Sequence, residues 1–175
     1  MAGFSISLNI TGISELANQL NLRGQAVEEA KNAAVDKVAQ LLQQYVQTNI
    51  GGGHPEYPNN MTSTMRQSIM WEHVSDGKAR VWTDLDYAYW VEFGHAQEPG
   101  RFVPAIQARL VQPSVPAYPF FRPAVTQIFD SGEAQQIITQ TLQAAVLNGD
   151  GGGGSASAGG FSPIVEGDIA VAEVL

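Results

Sequence analysis

The sequence reads as a small α+β protein. Three patterns predict it: a strictly alternating strand near the start, a long helix with one apolar stripe, and a hairpin that runs straight into a short aromatic helix. Phe4-Ser-Ile-Ser-Leu-Asn-Ile10 places Phe4, Ile6, Leu8 and Ile10 on one face, the period-2 signature of a half-buried strand. Thr11-Gly12 ends it. Ser14 and Glu15 open a short helical pattern through Leu20, and a long helix is predicted from Gln25 to Ile50, with Gly24 as a kink between the two. Its apolar positions Val27, Ala30, Ala34, Val38, Leu41, Leu42, Tyr45 and Val46 step by three and four, so one stripe faces a core. Gly51-Gly52-Gly53 stops the helix. No Gly-Lys-Ser/Thr follows the triplet, so it is not read as a phosphate cradle.

From Met65 the pattern turns toward strand, with Ile69, Trp71 and His73 alternating against Met70, Glu72 and Val74. Asp76-Gly77 predicts a tight hairpin turn with positive φ at both central residues, and Ala79 to Thr83 is the return strand. The return strand feeds Leu85 to His95, where Tyr87, Tyr89, Trp90 and Phe93 concentrate more buriable area than any other stretch of its length. Tyr87, Trp90, Val91 and Gly94 follow helical spacing, which predicts an aromatic-faced helix that anchors the core, capped by Asp84 and stopped by Gly94. Ala96 to Ala117, rich in Pro and with an extended middle from Phe102 to Val111, exceeds an ordinary connection, and long ordered loops are usually functional or mobile. Pro119-Phe120-Phe121 re-enters the core. Pro123 suits a first helical turn, and a helix from Ala124 to Leu147 is interrupted at Ser131-Gly132.

These elements predict one domain over residues 1–148, a Gly-rich linker at 149–160 and an extended arm at 161–175. The net charge of −8 argues against a primary nucleic-acid binder, because phosphate neutralisation needs clustered Lys and Arg. No Lys or Arg follows Arg122, whereas Asp130, Glu133, Asp150, Glu166, Asp168 and Glu173 do. With no cysteine there is no disulfide framework, thiolate nucleophile or thiolate zinc site, which fits a reducing compartment. Neither a signal peptide nor an apolar run of bilayer-spanning length is recognisable, so a soluble protein is expected.

Catalytic signatures are weak. His54, His73 and His95 are scattered over a loop, a strand and a helix end, and Glu92 with His95 makes a lone i, i+3 pair that does not define a metal site. Ser68 lacks a Gly-x-Ser-x-Gly elbow. Glu28/Glu29 and Asp84/Asp86 are explained by solvation and helix-end stabilisation. The Tyr and Trp residues lack the basic groove of a base-stacking platform, since Asp84, Asp86 and Glu92 surround them. No catalytic, cofactor or metal residues are assigned.

Three stretches carry a family resemblance. Tyr87-Ala88-Tyr89-Trp90-Val91-Glu92-Phe93-Gly94 resembles the Tyr-Ala-x-Tyr-Val-Glu-Phe-Gly core of tailed-bacteriophage neck, head–tail joining or tail-completion proteins, also called minor tail components. Pro119-Phe120-Phe121-Arg122-Pro123-Ala124 is similar to their Pro-Phe-Leu-Arg-Pro-Ala helix start. Thr62 to Ile69 sits where they have Thr-Gly-x-Leu-Arg-x-Ser-Ile, departing at Ser63 for Gly and at Met65 for Leu. The resemblance covers about residues 3 to 148.

It implies a small curved antiparallel sheet with a long helix packed across it, plus a C-terminal helix and an extended arm. It also implies a non-enzymatic virion subunit, assembled in the host cytoplasm into a ring between the portal or connector complex and the tail tube. An acidic lumen would let double-stranded DNA slide through without sequence-specific binding. Tyr87, Tyr89, Trp90, Glu92, Phe93, Gly94, Pro119, Phe120, Arg122 and Pro123 form the motif core. Arg101, Phe102, Val103 and Arg109 in the long segment, with Phe161, Ile164, Ile169 and Val171 beyond the linker, are the expected contact residues. Six-fold order is expected over twelve-fold. A tail terminator and, in a different class, a small soluble enzyme or ligand-binding domain stay open as alternatives.

Overall fold

A 25-residue amphipathic helix, α1 (Gln25–Asn49), is the element every layer touches. At 1.5 Å per residue it is about 37 Å long, enough to span a small domain. The computed structural model describes residues 4–9, 25–51, 63–104 and 107–148. The expected helix at 14–20, the kink at Gly24, the linker at 149–160 and the arm at 161–175, with Phe161, Ile164, Ile169 and Val171, lie outside those residues.

One side of α1 packs on a three-stranded antiparallel sheet of β1 (Phe4–Asn9), β2 (Met70–Ser75) and β3 (Lys78–Thr83), in the order β1-β3-β2. Another side packs on α4 (Phe121–Asp130) and α5 (Glu133–Asn148). The architecture is mixed α+β with the long helix across the strands. Cover from two directions explains why the buried stripe is wider than the expected one: Val35, Ala39 and Ile50 are fully buried in addition to Ala34, Val38, Leu42 and Val46. On the sheet, Leu8 pairs with Ala79, and Ala79, Val81 and Thr83 face α1. Gly132 takes φ 77° and breaks α4 from α5, as Ser131-Gly132 predicts. Lys37 Nζ to Thr141 Oγ1 (3.1 Å) and the Tyr45 hydroxyl to Glu133 Oε2 (2.8 Å) tie α1 to α5 along its polar flank.

Two local expectations are corrected. Met65 does not start a strand; it is buried within the one-turn helix α2 (Thr64–Gln67), and the strand begins at Met70. Ser63, just before α2, sits at φ 59°, a left-handed conformation that glycine adopts without steric cost. The departure from glycine at this position is therefore a strained one. At the hairpin, only Gly77 has positive φ (67°), and the register shifts between His73 and Ser75. The turn is thus a bulged one and not the symmetric two-residue kind. It docks on α1, where Asn32 Oδ1 accepts from the Gly77 amide (2.7 Å) and Lys31 pairs with both Asp76 and Glu28.

The Lys31 hydrogen bond lowers the pKa of Asp76 below 3.8. Burial alone would lower Lys31, but hydrogen bonds to Asp76 and Glu28 outweigh it and raise its pKa above 10.5. A depressed carboxylate pKa contributes stability that is complete above the unfolded value and is lost as pH falls through the folded one. The urea midpoint of wild type should therefore exceed that of Asp76→Asn above pH 3.8, with the gap closing well below it. Ser63→Gly should raise stability by up to about 1 kcal/mol in equilibrium urea unfolding, by removing left-handed strain.

Candidate functional site

The aromatic helix α3 (Asp86–Phe93) is one turn of chain away from the sheet, and its orientation is the first departure from the sequence expectation. Its buried residues are Ala88 and Glu92, both 0 % exposed, one helical turn apart. Tyr87 and Trp90 are 45 % and 50 % exposed, so the aromatic stripe does not anchor the core. Tyr89, Val91 and Phe93 lie half-buried at its margin, and Tyr89 stacks on Phe93 at 4.9 Å. The great buried aromatics are Phe120 and Phe121. Asp84 does not cap the helix. Leu85 holds the cap position, and Thr83 Oγ1 accepts its amide at 3.3 Å.

Glu92 is rotated inward because its carboxylate serves a second helix. Its Oε2 accepts from the amides of Phe120 (2.7 Å) and Phe121 (3.0 Å), and its Oε1 accepts from the amide of Arg122 (3.1 Å) and from Arg122 Nε (3.0 Å). A helix leaves its first four amides without intrahelical partners. In α4 three of these bind Glu92, and the fourth position is Pro123, which has no N–H. The start of α4 has no side-chain cap of its own; a residue 28 to 30 positions earlier supplies it. Arg122 closes the arrangement, with Nη2 on the Glu92 carbonyl (3.0 Å) and its guanidinium 4.8 Å from the Phe93 ring.

The third motif stretch joins the same construction. Ser68 Oγ lies 2.7 Å from Thr83 Oγ1, the atom that receives the Leu85 amide at the start of α3. Ile69, fully buried, offers its carbonyl to Gln43 and Gln47 of α1. From the end of α1, buried Asn49 donates through Nδ2 to the Phe120 carbonyl (3.0 Å). Thr83 and Asn49 escaped the sequence reading. Their signal is only that each is a polar residue at an otherwise apolar position of its strand or helix.

Between the two clamped ends the segment expected as a long loop folds back on itself. β4 (His95–Ala96) pairs with β7 (Ser114–Val115), and β5 (Phe102–Val103) pairs with β6 (Ala108–Arg109), both antiparallel. Backbone bonds from Gln97 to Pro113, Gly100 to Leu110 and Leu110 to Arg101 bridge the two ladders, so the described residues 95–104 and 107–115 form one hairpin arm. Its base is tight: the Tyr118 amide donates to the Val91 carbonyl (2.8 Å), and a Cβ on Gly94 (φ 71°) would lie 2.7 Å from the Val115 carbonyl oxygen. Its surface is open. Arg101, Phe102 and Arg109 are exposed, Val103 is half-buried, and Val111 is 86 % exposed.

The remaining candidates do not converge. His95 stacks edge-on against Trp90 at 5.7 Å, while His73 Nδ1 lies 2.8 Å from Asp36 Oδ1 of α1. Glu92 is committed to helix amides and not to His95. Among the described residues no three His, Cys, Asp or Glu side chains gather as a metal site, and no helix is long and apolar enough to cross a membrane. A shallow groove of about 560 Å³ follows Pro119, Arg122, Pro123, Thr126 and Gln127, and Arg122 in its wall already donates to Glu92.

The α+β body thus presents an exposed hairpin arm and two outward aromatics, Tyr87 and Trp90. Residues 14–94, just under half of the chain, match the family described as "Bacteriophage HK97-gp10, putative tail-component". The match agrees with the tailed-phage neck and tail-completion resemblance, and it takes in the Thr62–Ile69 and Tyr87–Gly94 motifs while Pro119–Ala124 lies beyond it. No curated protein and no solved structure gave a match.

Glu92→Gln places an NH₂ group against amides that need an acceptor and leaves Arg122 without its carboxylate, so it should cost roughly 3–5 kcal/mol in urea unfolding. Glu98→Gln, on an exposed residue of the arm, should stay within about 0.5 kcal/mol of wild type.

Proposed function

We propose that this protein is a structural virion subunit of a tailed phage that forms a ring at the head–tail junction, between the portal or connector complex and the tail tube. The observation that carries the reading is an exposed arm fixed at both ends, in a chain whose residues 14–94 match a phage tail-component family. An arm anchored on α3 and α4 meets a neighbour with little ordering left to do, which favours repeated, identical contacts. Arg101, Phe102, Val103 and Arg109 on that arm, and the segment from Phe161, are the contact regions. Neighbours above and below are the adjacent head-completion or connector protein and the tail-tube protein. The net charge of −8 suits a lumen that repels DNA phosphate and lets the duplex slide.

Size-exclusion chromatography with light scattering tests this directly. The purified chain should give a closed oligomer, six times the 18.7 kDa of one chain. The double variant Phe102→Asp/Val111→Asp should dissociate without loss of thermal stability, because both side chains are exposed in the single subunit. A monomer at all concentrations, together with absence of the chain from a reconstructed head–tail junction, overturns the proposal.

A further inference from the structure

The arm presents a surface with a definite pattern of apolar and charged side chains. Phe102 is 52 % and Val111 86 % exposed, a large apolar exposure for a two-stranded ribbon. Cross-strand partners share a face, so Phe102 and Arg109 point the same way, and Val111 is exposed in the irregular stretch just past β6. The ribbon therefore shows an apolar side chain beside a cation, with a second exposed apolar residue next to its end. Arg101 adds a second positive charge on the arm, and among the described residues neither arginine has a carboxylate partner. With Glu98 also on the arm, two arginines less one carboxylate leave a net charge of +1 there, within a chain of net charge −8. β5 and β6 each have one edge unpaired among the described residues, which leaves main-chain donors and acceptors for an added strand.

We infer that the arm binds residues 161–175 of this chain as an added strand. That segment carries Glu166, Asp168 and Glu173 and no basic residue, so its charge complements the arm. Its apolar residues alternate to match. In an extended strand Ile169, Val171 and Glu173 share a face, which sets two apolar side chains and one carboxylate against Phe102, Val111 and Arg109. Residues 149–160 are Gly, Ala and Ser apart from Asp150, and a linker of that composition has an end-to-end distance of roughly 20 Å. Such a tether reaches many surfaces, so the choice among them rests on this complementarity. The pairing does not depend on the ring reading.

Because the chain has no cysteine, paired cysteines introduced into the full-length protein report the contact. Phe102→Cys with Val171→Cys should cross-link on mild oxidation far more than the control Gln140→Cys with Val171→Cys, which places the first thiol on an exposed position of α5. A linked monomer places the segment on its own arm and a linked dimer on a neighbour's; both bear the inference out. Adding Arg109→Glu should reduce the yield roughly two- to five-fold, the range for one exposed ion pair. Adding Glu173→Lys to that variant should restore it. Equal yield in the test and control pairs, or no restoration by the charge exchange, overturns the inference.

Discussion

The carboxylate of Glu92 is the constraint on which the central part of this protein depends. Fully buried, it accepts four hydrogen bonds, three from the backbone at the start of α4 and one from Arg122. A buried charge is tolerable only when paired and hydrogen-bonded, and here the same bonds that satisfy it complete a helix that cannot cap itself. One residue thereby decides which face of α3 turns inward, and hence that Tyr87 and Trp90 turn out. It also fixes the distance between the two ends of the arm.

Around that contact the polar links form a connected set. Ser68 and Thr83 seat the start of α3, Asn49 holds the Phe120 carbonyl from the end of α1, and the Tyr118 amide closes on Val91. The three motif stretches of the sequence are thus parts of one construction, in which a helix, a helix start and a short turn are bonded to one another. Stability and presentation are divided between regions. Apolar burial against α1 supplies the body, while the polar clamp positions an arm that itself buries little.

Much of the body was legible because its signals are local. The stripe of α1, the stop at Gly51, the alternation of β1 and the break at Ser131-Gly132 each follow from spacing or backbone freedom within a few residues. The clamp was not, because its acceptor pairs with backbone amides 28 to 30 residues away, and amides carry no sequence signature. An eight-residue helix with four aromatics has two plausible apolar faces, and a glutamate counts as outward until a partner is known. Two hints were present: an acid within an apolar run, and a helix start of Pro-Phe-Phe-Arg-Pro lacking Ser, Thr, Asp or Asn at its cap. The arm's ladders were hidden by Pro99, Pro104, Pro113 and Pro116, which break strand patterns into pairs of residues too short to read.

Amide hydrogen exchange by NMR at Phe120, Phe121 and Arg122 tests the clamp most directly. In the wild type these three amides should be protected to the level of the core helices, and in Glu92→Gln they and the Tyr118 amide should lose that protection before α1 does. Exchange in the wild type at the rate of an open loop, or protection unchanged by the substitution, would contradict the account.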